Sequence, residues 1–430
     1  MGIGSVVHPM CRNSCVAFTG PFMDLDHCLQ KEGLIIWNAA IDQTFKSRLF
    51  LALNTADGQA MAYLSSLVGH HRKFGCRLYC PTPGRHKTNG SHYYPALLKP
   101  LDYTMASWDH PDLSHFSTTT SRSHYFTNLC FLLASPNDTQ YKKRQLEMEI
   151  VKPTIFLGLP TCSTLGILWC LGSDIMNLGT FNLSDLLLPL SHGLFNHDRL
   201  DSPSNWPWAV LQGEIWESHG VAVSAATPSL PGSFDHPPHN IAEKINSGYK
   251  AWEWLLYLYS LAPALLFGIL PEPYHSHFCK LVWAMRIIQQ YHISSSDLVL
   301  ADGLFRSFAY EFELLYYQWR EDWIHFCWQS IHTLLHLAPE VTRIGPPICS
   351  SQWTMERTIG NLCEEIRQPY FRDHNLIVVD VTSIKPVVAM ITHTPPGIDV
   401  MENKYYYLME QPGLDVTDLG GIHKTFDSES

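Results

Sequence analysis

Residues Arg48–Tyr93 read RLFLALNTADGQAMAYLSSLVGHHRKFGCRLYCPTPGRHKTNGSHY, and the expected fold rests on this stretch. The apolar run Leu49–Leu53 predicts a short buried strand, and the polar turn after it presents Asp57. Met61, Leu64 and Leu67 follow at helical spacing. An acid beyond the end of a buried strand stands where α/β enzymes gather ligands and metal-binding carboxylates. The plain alternative for Asp57 is a solvated turn residue.

Between Gly58 and Leu101 the chain carries Arg72, Lys73, Arg77, Arg85, Lys87 and Lys99 and no acid. Tyr79, Tyr93 and Tyr94 are interleaved with them. Cations suit phosphates and flat rings suit bases, so a local nucleic-acid surface is expected, with Arg72, Lys73, Arg77, Arg85 and Lys87 as its contacts. A basic loop paired with acidic neighbours is the alternative. The whole chain has a formal net charge of −11, which argues against coating nucleic acid over its full surface. With 46% apolar and 16% charged residues, its composition is globular, and 430 residues give room for two or three domains and a large core.

The same stretch holds a CxxxC pair, Cys76 and Cys80, with His70 and His71 upstream and His86 and His92 downstream. Cysteines two to four residues apart suit zinc, so Cys76, Cys80, His86 and His92 are the expected ligand set. The alternative is a pair of structural cysteines. His332 and His336 in HTLLH lie one helical turn apart, as in zincins. No Glu stands between them, which argues against a metalloprotease. Twelve scattered Cys and an opening without a signal-peptide pattern predict an intracellular, reducing compartment. Trp254–Pro271 is the most membrane-like run, but Pro263 and Gly268 interrupt it, so a buried helix pair and no membrane contact are expected.

Residues 1–33 show no clear periodicity, although Asp24, Asp26 and His27 cluster there. Residues 34–150 begin with a helix-like pattern (Ile35, Ile36, Ala39, Ala40) and contain Asp57 and the basic Cys/His loop. A polar surface segment over 102–137 and a charged helix over 138–149 follow. Residues 151–240 continue the core, with helical spacing through Leu178, Leu183, Leu187 and Leu188. A Trp-rich helix candidate at Trp206–Val223 and a Pro/Gly linker over 227–240 end that part. Residues 241–340 read as helical throughout: Phe278, Leu281, Val282, Met285 and Ile288 make one stripe, and Ala301, Phe305, Phe308 and Phe312 another. Ser294–Asp297 is the expected cap of that second helix. Residues 341–369 hold a closing helix, Trp353–Arg367, with Glu356, and residues 370–430 are rich in Val, Ile and Tyr and read as β. Two-metal phosphoryl transfer needs converging carboxylates on Mg²⁺ or Mn²⁺, and Asp57, Asp174 and Glu356 are the candidates at strand or helix ends.

The stretches LNTADGQAMAYLSSLVGHH-RKFGCRLYC-PTPGRHK, IVKPTIFLGL, SDIMNLGTFNLSDLLLPL, GYKAWEWLLYLYSLAPALLFGILPEPY, SIHTLLHLAPEVTRIGPP and SQWTMERTIGNLCEEIRQP carry a resemblance. From Lys31 onward the chain resembles a fungal transposase family related to CACTA-element transposases and the Kyakuja–Dileera–Zisupton group of basidiomycetes. The resemblance implies an α/β + α architecture, an incomplete RNase H-like core interrupted by an all-helical insertion at Gly248–Leu337. It also implies two catalytic divalent metals, DNA element ends as partner, and a nuclear location. By the resemblance, Asp57 matches the second catalytic Asp, Cys76 and Cys80 the cysteine pair after it, and Asp174 the Asp of an Asp-x-x-His element. Glu356 is the candidate closing Glu. Asn177 stands where the family has His, and neither Asp24 nor Asp26 can be assigned as the first catalytic Asp. The expectation is a transposase-derived protein of a mobile element, ancestrally a DNA strand-cleaving and strand-joining enzyme, inactive in this truncated, internally deleted copy. The alternatives are a still-active transposase or nuclease, and a non-catalytic DNA- or protein-binding remnant with a zinc-stabilised loop.

Overall fold

The computed structural model describes residues 32–357, apart from 39, 49, 88–89, 102, 104–109, 114–121, 158, 160–161, 198–200, 231–236, 245–247 and 354–355. Asp24, Asp26, the greater part of the closing helix and the β-rich segment 370–430 lie outside the described residues. The fold is mixed α/β and mostly helical, with two small sheets. The chain divides into two compact units.

One unit comprises 1–53, 155–170 and 353–430. Its Leu34–Asn38 (β1) and Gln43–Ser47 (β2) form an antiparallel hairpin, with Leu34 opposite Ser47 and Asn38 opposite Gln43. The helix-like start expected here is a strand instead. β-branched Ile35 and Ile36 with Trp37 favour extended backbone, and Asn38 closes the turn by accepting from the Ala40 amide at 3.0 Å. Among the described residues of the run expected as a strand at Leu49–Leu53, Phe50–Leu53 form no regular strand: Leu51 makes one parallel bridge, to Thr164.

The other unit comprises 54–154 and 171–352. Gly58–Ser65 (α1) begins at Asp57, and Arg85–His86 (β3) pairs antiparallel with Tyr93–Tyr94 (β4). Arg122–Leu133 (α2) occupies part of the expected surface segment; Tyr125, Leu129 and Leu132 give it a buried face. Asp138–Met148 (α3) is the charged helix, capped by Asn137. Ile175–Asn177, a π turn Leu178–Asn182 and Leu183–His192 run on as α4. Gly213–Ala225 (α5) starts later than the Trp-rich pattern suggested. Pro207 disfavours helical backbone at Trp206, which is extended, and Trp206 and Trp208 turn inward against Trp323 and Phe326. The buried Asp201 carboxylate accepts from the Trp206 and Trp323 indoles at 3.0 and 2.6 Å.

Ala251–Leu256, a π turn Tyr257–Leu261 and Ala262–Leu265 form α6, one irregular helix rather than a pair, ending before Gly268. Among the described residues no helix is long and apolar enough to cross a membrane. Glu272–Ile288 (α7) and Ser295–Phe312 (α8) pack on each other through the two expected stripes, and the Ser294 hydroxyl accepts from the Asp297 amide at 3.1 Å. Gln329–Ile344 (α9) packs on α8.

A π turn, Glu313–Tyr317, extends α8 and buries Glu313, whose carboxylate accepts from the Leu97 and Leu98 amides at 2.6 and 3.1 Å. Burial pushes this carboxyl up to about 7, against the opposing pull of those two amides and of Arg85. A raised folded-state pKa means the folded protein holds a proton that the unfolded chain releases. The contribution is therefore fully present below about pH 4.5 and is lost as pH rises through 7. Urea midpoints are expected to be higher at pH 5.5 than at pH 7.5, with Glu313→Gln flattening the difference. An unchanged slope in that variant would remove Glu313 as the cause.

Candidate metal centre

Four side chains from two distant parts of the chain converge in the larger unit. Cys76, Cys80, His332 and His336 place one donor atom each within 4.8 Å of one another. Cys76 Sγ lies 3.2 Å from His336 Nε2, Cys80 Sγ 3.1 Å from His332 Nε2, and the two Nε2 atoms are 3.0 Å apart. All four residues are buried, none more than 4% exposed.

Local sequence explains the convergence. The tyrosine between the cysteines, Tyr79, takes the left-handed conformation (φ 55°), and its amide donates to Cys76 O at 2.9 Å, so the chain turns back and brings both sulfurs to one side. Its hydroxyl donates to Met148 O at 2.6 Å. Glu149, just past α3, accepts from the Lys73 and Phe74 amides, which holds the entrance to the turn. His332 and His336 are four residues apart on α9 and therefore share a face.

The donor chemistry fits zinc. A tetrahedral Zn²⁺ with two thiolates and two imidazoles has ligand–ligand edges of about 3.4–3.8 Å, and the three short contacts of 3.0–3.2 Å lie a few tenths of an ångström inside that range. Burial pushes the Cys76 thiol up, but the Cys80 thiol and the His336 and His332 imidazoles outweigh it and hold Cys76 well below the usual value. Cys80 is pushed well up by its bond to Cys76 and by burial. A bound ion would favour the thiolate form of both sulfurs. Burial lowers His332, keeping it in the neutral form that ligates. A closed set of four N and S donors suits a structural ion; catalytic zinc keeps an open position.

His86 and His92, the expected partners of the cysteines, are not in this group. His86 sits on β3 with its ring against Tyr93, and His92 packs edge-on against His71 at 4.1 Å. Their places are taken by the HTLLH pair, whose spacing was visible while its partners, 252 and 260 residues away in sequence, were not.

The two acids singled out in the larger unit line one cavity of about 860 Å³, together with Arg77, His70, His71, Asn177 and Trp328. Both act as helix caps. Asp57 Oδ1 accepts from the Ala60 amide at 2.7 Å at the start of α1. Asp174 is buried; its Oδ1 accepts from the Met176 and Asn177 amides at 3.1 Å each, and its Oδ2 accepts from the Asn177 side chain. Glu356 belongs to the smaller unit and is exposed. Among the described residues, the Cys/His group is the one set of three or more such side chains arranged to hold an ion, so no carboxylate group for Mg²⁺ or Mn²⁺ is formed there.

Three cations of the basic stretch have partners within the protein. Arg85 is fully buried and donates to the carbonyls of Ala96, Leu97 and His110 and to Asp112. Arg77 donates to Ser173 and Glu340, and Lys87 to Asp322 O at 3.1 Å. Arg72 is exposed and Lys73, Arg77 and Lys87 are half-buried, so of the five Arg85 is the one withdrawn from the surface. Arg85 cannot meet a phosphate without unfolding its surroundings. Glu340, which sequence reading missed, lies one turn beyond His336 on the same face of α9, and that spacing was its available signal. No protein-family model, curated protein or solved structure matches the chain.

Proposed function

We propose that this chain is a transposase-derived protein in which Cys76, Cys80, His332 and His336 bind one zinc ion, and that the ion is structural. The four-donor closure carries the reading. Bound zinc supplies a cross-link between the basic loop and α9; it offers no open position for substrate. The mobile-element ancestry is supported by the six motif stretches in order, and by Asp57 and Asp174 lining one cavity. Strand cleavage is not retained, on this reading, because both acids are engaged as helix caps and Asn177 replaces the family's His beside Asp174.

Metal analysis of purified full-length protein is expected to give one zinc per chain. The same protein with Mg²⁺ or Mn²⁺ is expected to leave duplex and nicked DNA intact. Folded protein that takes up no zinc when the metal is supplied would refute the centre. The second reading, a still-active nuclease, is favoured by the shared cavity of Asp57 and Asp174. Metal-dependent cleavage that vanishes in Asp57→Ala would establish it in place of the inactive one.

A further inference from the structure

The face of α9 that carries His332 and His336 continues, one turn on, to Glu340. Glu340 is 3% exposed, and its carboxylate is fully occupied. It accepts from the Ser173 amide, from Ser173 Oγ at 2.8 Å and from Arg77 Nη2 at 3.5 Å, with Arg343 Nη2 at 3.9 Å. Arg77 directly follows the ligand Cys76, and Ser173 directly precedes Asp174. Arg77 and Asp174 are both walls of the cavity.

We infer that Glu340 is a positioning residue that ties the metal centre to the Asp174 wall of the cavity; this rests on the Cys₂His₂ group holding an ion. Two imidazoles on one ion fix the rotation of α9 about its axis, and Glu340 is carried on that face. A carboxylate that holds the amide and the hydroxyl of one serine at once fixes both the position and the direction of the chain entering α4. Arg77 is gripped from two sides, by its neighbour Cys76 and by Glu340. Any shift of α9 or of the cysteine turn is therefore passed to Ser173 and Arg77 rather than absorbed by solvent. By linkage the effect runs both ways: loosening Ser173 weakens the ion, and losing the ion loosens Ser173.

The test is a double-mutant cycle on the full chain, read as zinc affinity by chelator competition. Ser173→Ala is expected to weaken zinc by about 5-fold in the parent protein and by less than about 2-fold in Glu340→Gln. In zinc-loaded Glu340→Gln, hydrogen exchange at the Ser173, Met176 and Asn177 amides is expected to rise about 10-fold or more. The ligand-field spectrum of the Co²⁺-substituted protein should stay unchanged, which a general loosening of the centre would not allow. Equal Ser173→Ala effects in both backgrounds, or unchanged exchange in Glu340→Gln, would overturn the coupling. If Glu340→Gln does not fold, Glu340→Asp and Ser173→Ala serve instead: non-additive losses of affinity support the tie, and strict additivity overturns it. Folded protein that takes up no zinc refutes the metal reading and this inference together, whereas tight zinc with additive effects refutes the coupling alone.

Discussion

Replacing Cys80 by serine is expected to release the ion and to lower the melting temperature of the protein by roughly 10 °C or more. The magnitude follows from what the substitution leaves behind. A serine hydroxyl is not ionised at neutral pH and is a poor partner for zinc, so three buried donors would remain without a cation. Each unsatisfied buried polar group costs about 1–3 kcal/mol. The ion itself is worth more: structural zinc in small domains contributes on the order of 10–16 kcal/mol of apparent binding free energy, nearly all of it coupled to folding. It also closes a loop of more than 250 residues between Cys80 and His332, the kind of long closure from which a cross-link gains most. A net loss of at least about 4 kcal/mol corresponds to about 10 °C for a unit of this size. Calorimetry of the parent with a strong chelator should reproduce the Cys80→Ser curve, and His336→Ala should match both. Retention of the parental melting temperature by the zinc-free variant would mean the four donors form an ordinary buried polar cluster.

The helices were legible where a single physical signal decided them. Ser294–Asp297 announces its helix because a hydroxyl at the cap meets an orphan amide. The Phe305, Phe308, Phe312 stripe could bury itself only against another apolar face, which α7 supplies. The Cys/His group was legible as two halves. CxxxC and HxxxH each show a metal-ligand spacing, but nothing local in Cys76 says that its partner lies 260 positions away instead of ten. Nearby His86 and His92 were the cheaper guess in sequence distance, but His86 lies on β3 and His92 packs against His71. The strand expected at Leu49–Leu53 failed for a related reason. Apolarity fixes burial, whereas a strand needs partners along its whole length, and Leu51 finds one bridge. Asp57 and Asp174 meet at one cavity as acids of a common site would, yet their carboxylates cap helices, a role any Asp before a helix can take.

The second large effect is expected at Arg85, and it separates a cation that holds the fold from one that holds a ligand. Arg85→Ala should cost about 3–5 kcal/mol, because it leaves buried carbonyl acceptors without the cation that holds them. Ala96 O, Leu97 O and His110 O would each lose a donor, at 3.2, 2.6 and 2.9 Å, and Asp112 its ion pair at 3.1 Å. Glu313, which Arg85 helps to keep ionised, would be driven further toward its protonated form. The damage should therefore be greatest above pH 7 and smaller near pH 5.5, where a neutral Glu313 asks for no counter-charge. Arg85→Met with Glu313→Gln is expected to remove the pH dependence of the loss but not the loss itself, since the carbonyls of Ala96, Leu97 and His110 still lack that donor. Arg72→Ala, on the exposed side of the same stretch, should change stability by no more than about 0.5 kcal/mol. If the stretch meets DNA at all, Arg72→Ala should reduce the salt dependence of binding by about one ion, whereas folded Arg85→Met/Glu313→Gln should bind as the parent does. A stable, well-folded Arg85→Ala protein with weakened DNA binding would reverse the assignment and return Arg85 to the surface role that its place among basic residues suggested.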